Sequence, residues 1–561
     1  MAPRSVLIAL ALIATPFARS AEPPTFAHDI APILYEKCAP CHHPGYAAPF
    51  SLLTYEDAKK RAPQIAAATR SGFMPPWLPE HGFGDFQGER RLTAEQIEMI
   101  ADWVRDGAPE GSVSEIATPP IFPDGWQLGK PDLVLEAPGP VELPASGPDI
   151  YWNVIFTPNL TVRRWVRAME IRPGQPRVVH HANLLLDRAA SAHLQERVPG
   201  KGFPGMDLVI GRSPFDPEGN FLFWKPGSAP HVEPEGFAWR LDPGNELVLN
   251  LHLQPSGKRE EVRPSIGLYF TDKPQTKFPL LVQLQNDQAL DIPAGTRDFA
   301  ISDEFKLPLD ADVLAVYPHA HYLGKLLEGY AIMPDGSKKW LIRIPSWDPN
   351  WQSVFYYREP VFLPKDSVIH MRYHYDNSSA NPRNPNHPPK RVRSGNQATD
   401  EMGHLWLQIL PRGAGDRRRE LQEAVMRHRV DKNPSDFVAH MNLGAILLSR
   451  LDPQGAVTEL RTAARLKPSQ PEVHNMLGLG LATLNRNAEA IPQFEMALRI
   501  RPDYPSARFN LATSLAKTGK IDQAIANLRQ VLAANPDDAY AKRRLNELMS
   551  NSSNQLPAAG H

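Results

Sequence analysis

The sequence predicts a multidomain protein with a small all-α domain, two β-sandwiches and an α-helical repeat array. Its 561 residues exceed what one hydrophobic core usually supports, so several domains are expected. The 58 prolines favour loop-rich β structure over a helical bundle in the central part. Prolines spaced 34 residues apart near the C-terminus indicate stacked helical repeats. The formal net charge of −1 gives no reason to expect a nucleic acid partner.

Residues 1–21 have the pattern of a secretory signal peptide. Arg4 precedes an apolar run over residues 6–14, and small residues follow at Ala18 and Ala21. The run is too short for a membrane anchor, and no later apolar stretch reaches about 18 residues. We therefore expect a mature chain without a membrane span that is exported across the inner membrane, to a periplasmic or extracellular location.

Residues 22–117 contain a Cys-x-x-Cys-His motif formed by Cys38, Cys41 and His42, which is typical of covalent haem attachment. Two thiols at this spacing reach the two vinyl groups of one haem, and the adjacent histidine lies beneath the iron. A structural disulfide, a redox pair or half of a zinc site would use the same two cysteines. A second cysteine pair for zinc is absent from the sequence, and export suits c-type haem assembly.

Met74, within residues 72–77, is the expected sixth ligand of this haem iron. A thioether opposite an imidazole raises the haem potential and favours electron transfer. His28 and His43 are the competing candidates, and we interpret both as surface histidines. With residues 29–34 leading into the motif, the domain resembles a small cytochrome c that carries one covalent haem c.

A helix is predicted near the end of this domain. Thr93 and Gln96 have the spacing of a capping box, and apolar residues follow with helical periodicity. Residues 107–109, Gly-Ala-Pro, end the helix.

Residues 125–412 are predicted to form two β-sandwiches, with a boundary near residue 270. Short apolar runs, such as residues 132–136 and 246–249, alternate with Pro- and Gly-rich turns. No helical period persists for long in this region. The first sandwich would span residues 125–270 and the second residues 271–412.

A His-x-His pair, His319 and His321, follows the apolar run at residues 313–316 of the second sandwich. Side chains on a strand alternate between faces, so the two histidines would point the same way and could bind one ion. Two histidines at this spacing also occur by chance in many strands.

The first sandwich contains the adjacent pair His180 and His181, and His252 at the end of an apolar strand. Adjacent residues of a regular strand face opposite ways, so this pair can share one ion only at a strand end or a bulge. Met402 by itself would be interpreted as a core methionine.

In this order, with Met402 in the setting Thr-Asp-Glu-Met, these segments resemble the ascorbate-dependent type II copper monooxygenases. That family includes the peptidylglycine hydroxylating and dopamine β-monooxygenases, and the resemblance implies jelly-roll-like sandwiches with two coppers. The three-histidine site, which would transfer electrons, comprises His180, His181 and His252. The His-His-Met site, where oxygen would be activated, comprises His319, His321 and Met402. Imidazole and thioether ligands suit copper better than calcium or magnesium.

The chain departs from the family at several positions. It has only two cysteines, whereas the animal enzymes are disulfide-rich. Tyr317 stands where the peptide-hydroxylating relatives have a carboxylate-binding arginine, and His404 and Trp406 stand where they have Asn and Tyr. We therefore predict a substrate other than a glycine-extended peptide, although the pattern does not identify which small molecule or peptide is used. Four histidines stay unassigned: His370, His374, His387 and His404.

The repeats occupy residues 417–550. Three sets of residues recur at 34-residue intervals: Pro434, Pro468, Pro502 and Pro536; Ala456, Ala490 and Ala524; and Leu443, Leu477 and Leu511. This period resembles tetratricopeptide repeats. We predict three repeats, preceded by a helix from about Arg417 and closed by a helix over about residues 537–549. Their groove would bind a peptide or protein partner, or the array would serve as a stabilising stalk.

Taken together, the resemblances imply an exported haem- and copper-containing monooxygenase that hydroxylates a C–H bond with molecular oxygen. The attached haem domain would feed electrons to copper, replacing or supplementing ascorbate. The alternative is a non-catalytic electron-transfer or copper-binding protein that uses the repeats as a docking scaffold. The expected metal content is one haem and two copper ions per chain.

Overall fold

The computed structural model describes residues 23–46, 48–123, 125–188, 190–206 and 219–553, which fall into two compact units. The first unit comprises Met1–Trp77 and Glu89–Asp124, and the second comprises Leu78–Gly88 and Gly125–His561. The predicted signal peptide lies outside the described residues. Within the described ranges, no helix is long and apolar enough to cross a membrane.

Helices form the first unit. After a π-helical turn at Phe26–Ile30, its elements are α1 (Ala31–Lys37), α2 (Tyr55–Arg70), α3 (Ala94–Arg105) and a 3₁₀ turn at Val113–Glu115. The predicted capping box of Thr93 and Gln96 is present at the start of α3. The apolar face of α3 then packs Ile100 and Trp103 against Phe26 and Leu34 in a buried core.

Leu78–Gly88 was predicted to belong to the haem domain, but the contacts of this segment place it in the second unit. Phe86 is buried with its ring against Phe355 and Tyr357. Glu80 forms an ion pair with Arg343. An aromatic anchor and an ion pair therefore hold the segment on the β region.

Residues 133–271 form three antiparallel sheets. Their strands are β1 (Leu133–Glu136), β2 (Val141–Leu143), β3 (Ile150–Phe156), β4 (Arg164–Arg172), β5 (Val179–Asp187), β6 (Phe203–Pro204), β7 (Phe223–Trp224), β8 (Trp239–Leu241), β9 (Glu246–Leu253), β10 (Glu260–Val262) and β11 (Ser265–Thr271). A four-stranded sheet has the order β1-β11-β4-β8, a five-stranded sheet the order β6-β3-β9-β5-β7, and β10 pairs with β2. One buried core joins the two larger sheets and includes Ile171, Leu249 and Ile266.

Residues 280–411 form three further sheets. Their strands are β12 (Leu280–Gln285), β13 (Asp291–Ile292), β14 (Phe299–Lys306), β15 (Ala311–Ala320), β16 (Gly324–Ile332), β17 (Lys338–Ile344), β18 (Phe355–Leu363), β19 (Val368–Tyr375), β20 (Val392–Arg393) and β21 (Gly403–Pro411). The two four-stranded sheets have the orders β12-β21-β15-β18 and β14-β19-β16-β17, while β13 pairs with β20. Tyr375 of β19 donates a hydrogen bond to the Met402 carbonyl, 2.9 Å away, and so connects the two larger sheets.

Paired helices follow the β region. They are α4 (Arg418–Lys432), α5 (Phe437–Ser449), α6 (Pro453–Leu466), α7 (Pro471–Thr483), α8 (Asn487–Ile500), α9 (Pro505–Lys517), α10 (Ile521–Ala534) and α11 (Ala539–Ser553). The periodic prolines lie just before α5, α7, α9 and α11. The ring of His440 bonds the Pro434 carbonyl at 3.1 Å, and His474 bonds that of Pro468 at 2.8 Å. The repeat thus recurs in its contacts as well as in its sequence.

Helix α4 is fixed to the β region through Asp303 of β14. The side chain of Asp303 is buried and accepts hydrogen bonds from Lys432 Nζ at 2.5 Å and His428 Nε2 at 3.1 Å. Burial alone would raise the pKa of Asp303, but these two partners outweigh it and hold the pKa below its usual value. A buried, charged contact therefore anchors the first helix of the array.

Candidate metal centre

The three-histidine site is built by two neighbouring strands, β5 and β9. His181 lies directly opposite His252, and the register shifts between Val179 and His181, so that His180 is the extra residue of a β-bulge. Ligand atoms of all three side chains lie within 4.8 Å of one another. The sequence analysis expected the pair to face one ion only at a strand end or a bulge, and the structure has a bulge at this position.

The ring nitrogens of this cluster are arranged as metal ligands are. His180 Nδ1 and His181 Nδ1 are 3.1 Å apart, a separation expected of two ligands with bonds of about 2 Å to one ion. Among the described residues, His252 Nδ1 is buried without a hydrogen-bond partner. A buried unpaired nitrogen is costly unless a ligand satisfies it, so the residues present fit a bound metal ion.

Asp149, which immediately precedes β3, orients His252. Its Oδ2 lies 2.7 Å from His252 Nε2, and Gln254 Nε2 donates to the same oxygen at 3.2 Å. Tyr151 stacks on the His252 ring at 4.4 Å between centroids. A carboxylate on one nitrogen fixes the tautomer and leaves the other nitrogen for a metal. The sequence analysis missed Asp149, because no motif connects it with residues more than 100 positions away.

Two histidines of this cluster, His180 and His181, are held neutral. Burial, reinforced by the neighbouring His252, lowers the pKa of His180 to about 4. Burial also places the pKa of His181 well below its usual value, and the charges of His252 and His180 lower it further. Neutral imidazole is the form that ligates metals, so both rings are available at neutral pH.

The His-His-Met site lies where β15 and β21 meet. His319 pairs with His404, and Ala320 with Gly403, so the next pair in this register would be His321 and Met402. The rings of His319 and His321 are 5.3 Å apart between centroids. Directly opposite residues of antiparallel strands share a face, so a continuation of this register would place the two histidines and Met402 on one side of the sheet. Met402 is buried.

The Nδ1 atoms of both histidines at this site are already engaged. His319 Nδ1 lies 2.8 Å from Gln352 Oε1, and His321 Nδ1 lies 3.1 Å from the Asp400 carbonyl. Both partners are acceptors, so each ring carries its proton on Nδ1 and leaves Nε2 as the free lone pair. Burial lowers the pKa of both histidines. The donor set of two imidazoles and a thioether fits copper.

Glu401, the residue before Met402, holds this site together. Its fully buried carboxyl group accepts backbone N–H bonds from His321, from Leu323 at 2.9 Å and from Met402 at 2.8 Å. Burial raises the pKa of Glu401 to about 8, although these three bonds act in the opposite direction. One side chain thus fixes the backbone of two predicted ligands.

Of the four unassigned histidines, His404 is the one that borders the site. Its ring lies 6.0 Å from that of His319, and its Nε2 is 2.9 Å from Asp287 Oδ2. His370 stacks on Tyr330, and His374 bonds Asp298. His387 lies in the loop between β19 and β20.

In the first unit, the Cys-x-x-Cys-His motif forms a tight turn after α1. The N–H groups of Cys41 and His42 both bond the Cys38 carbonyl, at 3.1 and 2.9 Å. Cys38 and Cys41 are free thiols, and burial raises the pKa of Cys38 to about 12. His42 Nδ1 lies 3.1 Å from the Phe50 carbonyl, which leaves Nε2 as the acceptor for an iron.

The other haem-ligand candidates of this unit have different surroundings. Met74 follows α2, and its N–H bonds the Ala68 carbonyl at 3.1 Å. His43 stacks on Phe122 with ring centroids 4.0 Å apart. His28 is exposed and bonds Asp29 at 2.9 Å. Both histidines therefore have partners away from the motif.

Comparisons with known proteins identify the type of repeat in the C-terminal region. Two tetratricopeptide repeat family models match residues 441–505 and 481–546, so the C-terminal region carries tetratricopeptide repeats, as predicted. Two structures titled as MamA are each 16% identical and cover 24% of this chain and 79% and 74% of their own, with TM-scores of 0.24. YrrB, titled a TPR protein with an unusual peptide-binding site, is 21% identical and covers 25% of this chain and 71% of its own, with a TM-score of 0.24. A search of curated proteins finds no match.

Proposed function

We propose that this protein is an exported haem- and copper-containing monooxygenase that hydroxylates a C–H substrate with molecular oxygen. The observation that carries the proposal is the three-histidine cluster, which a bulge assembles on two neighbouring strands and in which His252 Nδ1 is buried and unpaired. Its ligand set differs from that of the neighbouring site, where a continuation of the β15–β21 register would bring His319 and His321 beside Met402. Two unlike sites suit a division between electron supply and oxygen chemistry.

The overall reaction is balanced by two electrons and two protons: R–H, O2, two electrons and two protons give R–OH and water. Copper, when bound, would supply the one-electron steps and the oxygen chemistry. Other residues of the protein keep the metal-binding side chains neutral, correctly oriented and shielded from water. Asp149 orients His252, while Glu401 fixes His321 and Met402.

The electrons would enter through the haem domain. Cys38 and Cys41 would attach one haem c covalently, and His42 and Met74 would ligate its iron. The hydrogen bond from His42 Nδ1 to the Phe50 carbonyl supports His42 as the first ligand. A reductant or a redox protein outside the chain would supply electrons to the haem.

The surroundings of Tyr317 support a substrate other than a glycine-extended peptide. Tyr317 is half-buried, donates its hydroxyl proton to Gln352 Oε1 at 2.8 Å and packs against Phe221 and Phe223. A tyrosine carries no charge for a substrate carboxylate, whereas an arginine at this position would bind one bidentately. The tetratricopeptide repeats add a surface for a protein partner in our proposal.

The test is metal analysis followed by oxygen consumption. Purified protein should contain one haem and bind two copper ions, and copper-loaded protein should consume oxygen in the presence of a reductant and a substrate. The control is the His180→Ala variant, which should retain haem but lose turnover. Two bound coppers without oxygen consumption across a broad panel of C–H compounds would instead favour the electron-transfer or copper-binding role.

A further inference from the structure

Gln352 lies in a loop that is anchored to the His-x-His segment. The side chain of the nearby Trp347 is fully buried, and its Nε1–H lies 3.1 Å from the Ala320 carbonyl and 3.2 Å from that of His321. A Cβ on Gly324 would approach the Trp347 ring to 2.6 Å, so glycine is needed there for this contact. The loop is therefore held in one place relative to β15.

The side chain of Gln352 is 3% exposed and contacts residues of both metal sites. Its Oε1 accepts from the Tyr317 hydroxyl at 2.8 Å and from His319 Nδ1 at 2.8 Å. Its Nε2 lies 3.5 Å from His181 Nδ1, a long contact at the limit of a hydrogen bond. The two donors at Oε1 set the amide orientation, which turns the NH2 group toward His181.

We infer that Gln352 is a positioning residue of the His-His-Met site, holding His319 in its ligating tautomer beside His181 of the other site. This inference rests on the copper sites of the proposed function, but it concerns metal binding and does not require turnover. It implies that the two sites adjoin each other around one buried amide.

The physical reason is the free-energy cost of removing the hydrogen-bond acceptor that Gln352 provides to His319 and Tyr317. Without an acceptor at Nδ1, the His319 ring can carry its proton on either nitrogen, and the form with a proton on Nε2 cannot bind metal there. The Tyr317 hydroxyl would also lose its partner. Outer hydrogen-bond partners of metal-bound histidines are typically worth about 10- to 100-fold in metal affinity.

The experiment measures copper affinity at each site separately in the full-length chain. Copper is titrated into His180→Ala, which leaves the His-His-Met site, and into His319→Ala, which leaves the three-histidine site. Each background is combined with Gln352→Leu or Gln352→Glu. Gln454→Leu, an exposed glutamine on α6, is the matched control. Cu(II) electron paramagnetic resonance and carbon monoxide binding to Cu(I) report the geometry without any substrate.

In the His180→Ala background, Gln352→Leu should weaken copper about 10- to 100-fold and change the spectrum. Gln352→Glu should restore most of this affinity, because a carboxylate still accepts from His319 and Tyr317. The three-histidine site should change less, since the contact with His181 is the longer one. Unchanged affinity and spectra at the His-His-Met site in Gln352→Leu would overturn the inference, as would a folded wild-type chain that binds no copper. Copper binding with this pattern but without hydroxylation would leave the inference standing and count against the proposed function alone.

Discussion

Asp149 Oδ2 lies 2.7 Å from His252 Nε2, and this contact leaves His252 Nδ1 as the nitrogen available to the three-histidine site. The pair is the arrangement by which proteins orient metal-binding histidines. His252 is buried on the central strand β9, where the Asp149 carboxylate is the partner that sets the tautomer of its ring. The first prediction concerns this carboxylate.

Asp149→Ala should lower the copper affinity of the three-histidine site about 10- to 100-fold, because the His252 ring loses the partner that fixes its tautomer. The measurement is copper titration against a competing chelator in the His319→Ala background. Asp537→Asn, whose side chain is 98% exposed, serves as the control and should behave as the parent protein does. Equal affinities of Asp149→Ala and its parent would show that Asp149 does not orient His252.

The predicted haem domain provides the second prediction. Met74→Ala should abolish the methionine-to-iron absorption band of the oxidised protein, because the thioether is the expected sixth ligand. His43→Ala should leave the spectrum unchanged, since His43 stacks on Phe122 away from the motif. The opposite result, a band that survives Met74→Ala and disappears in His43→Ala, would make His43 the ligand.

The buried contact between Asp303 and α4 makes stability depend on pH in acid. The pKa of Asp303 is lowered in the folded state, so its contribution is present above the unfolded pKa, near 3.8, and is lost as the pH falls through the folded value. Asp303→Asn should therefore destabilise the protein by about 3 kcal/mol at pH 7, because Lys432 loses its buried partner. This difference should shrink as the pH falls below about 3.8.

The measurement for Asp303 is denaturant unfolding of both proteins across acidic and neutral pH. Asp366→Asn is the matched control, because Asp366 pairs with Lys306 at 2.9 Å but both side chains are more than half exposed. An exposed pair contributes about 0 to 1 kcal/mol, so this variant should unfold close to the parent protein. If the two variants lose the same stability at pH 7, the buried contact is not what anchors α4.

The sequence predicted the elements that have a period or a motif, and it missed those that depend on long-range contacts. The capping box of Thr93 and the bulge at His180 follow from local rules, and both are present. Gln352 and Asp149 could not be assigned, because each acts on a histidine 33 or 103 positions away and lies in no recognisable pattern. A single polar residue in a loop looks like any solvated side chain until the fold buries it.

The role of Glu401 also could not be predicted from the sequence, but for a different reason. It was visible in the sequence as part of the Thr-Asp-Glu-Met setting of Met402, but its role depends on the path of the chain after β15. Only the fold brings the N–H groups of His321 and Leu323 to its carboxyl group. The segment Leu78–Gly88 was likewise misassigned, because the buried ring of Phe86 finds its partners on β18, far along the chain.

The last prediction tests the division of labour between the two proposed copper sites. Met402→Ala and His180→Ala should both stop hydroxylation, but for different reasons. Losing the thioether removes a soft ligand that stabilises reduced copper at the His-His-Met site. Losing His180 removes a ligand from the three-histidine site, whose remaining members His181 and His252 cannot hold the ion as well.

Each single variant should therefore lose at most one copper per chain, as measured by elemental analysis, and the surviving site should keep the Cu(II) spectrum it has in the parent protein. Haem content should stay at one per chain in both, because the predicted haem domain is a separate compact unit with its own motif. The double variant Met402→Ala/His180→Ala tests whether the two losses of copper are additive, and it should bind neither copper ion tightly. Full turnover by His180→Ala would show that hydroxylation needs only one of the two sites, and the electron-transfer role of the three-histidine site would then be wrong.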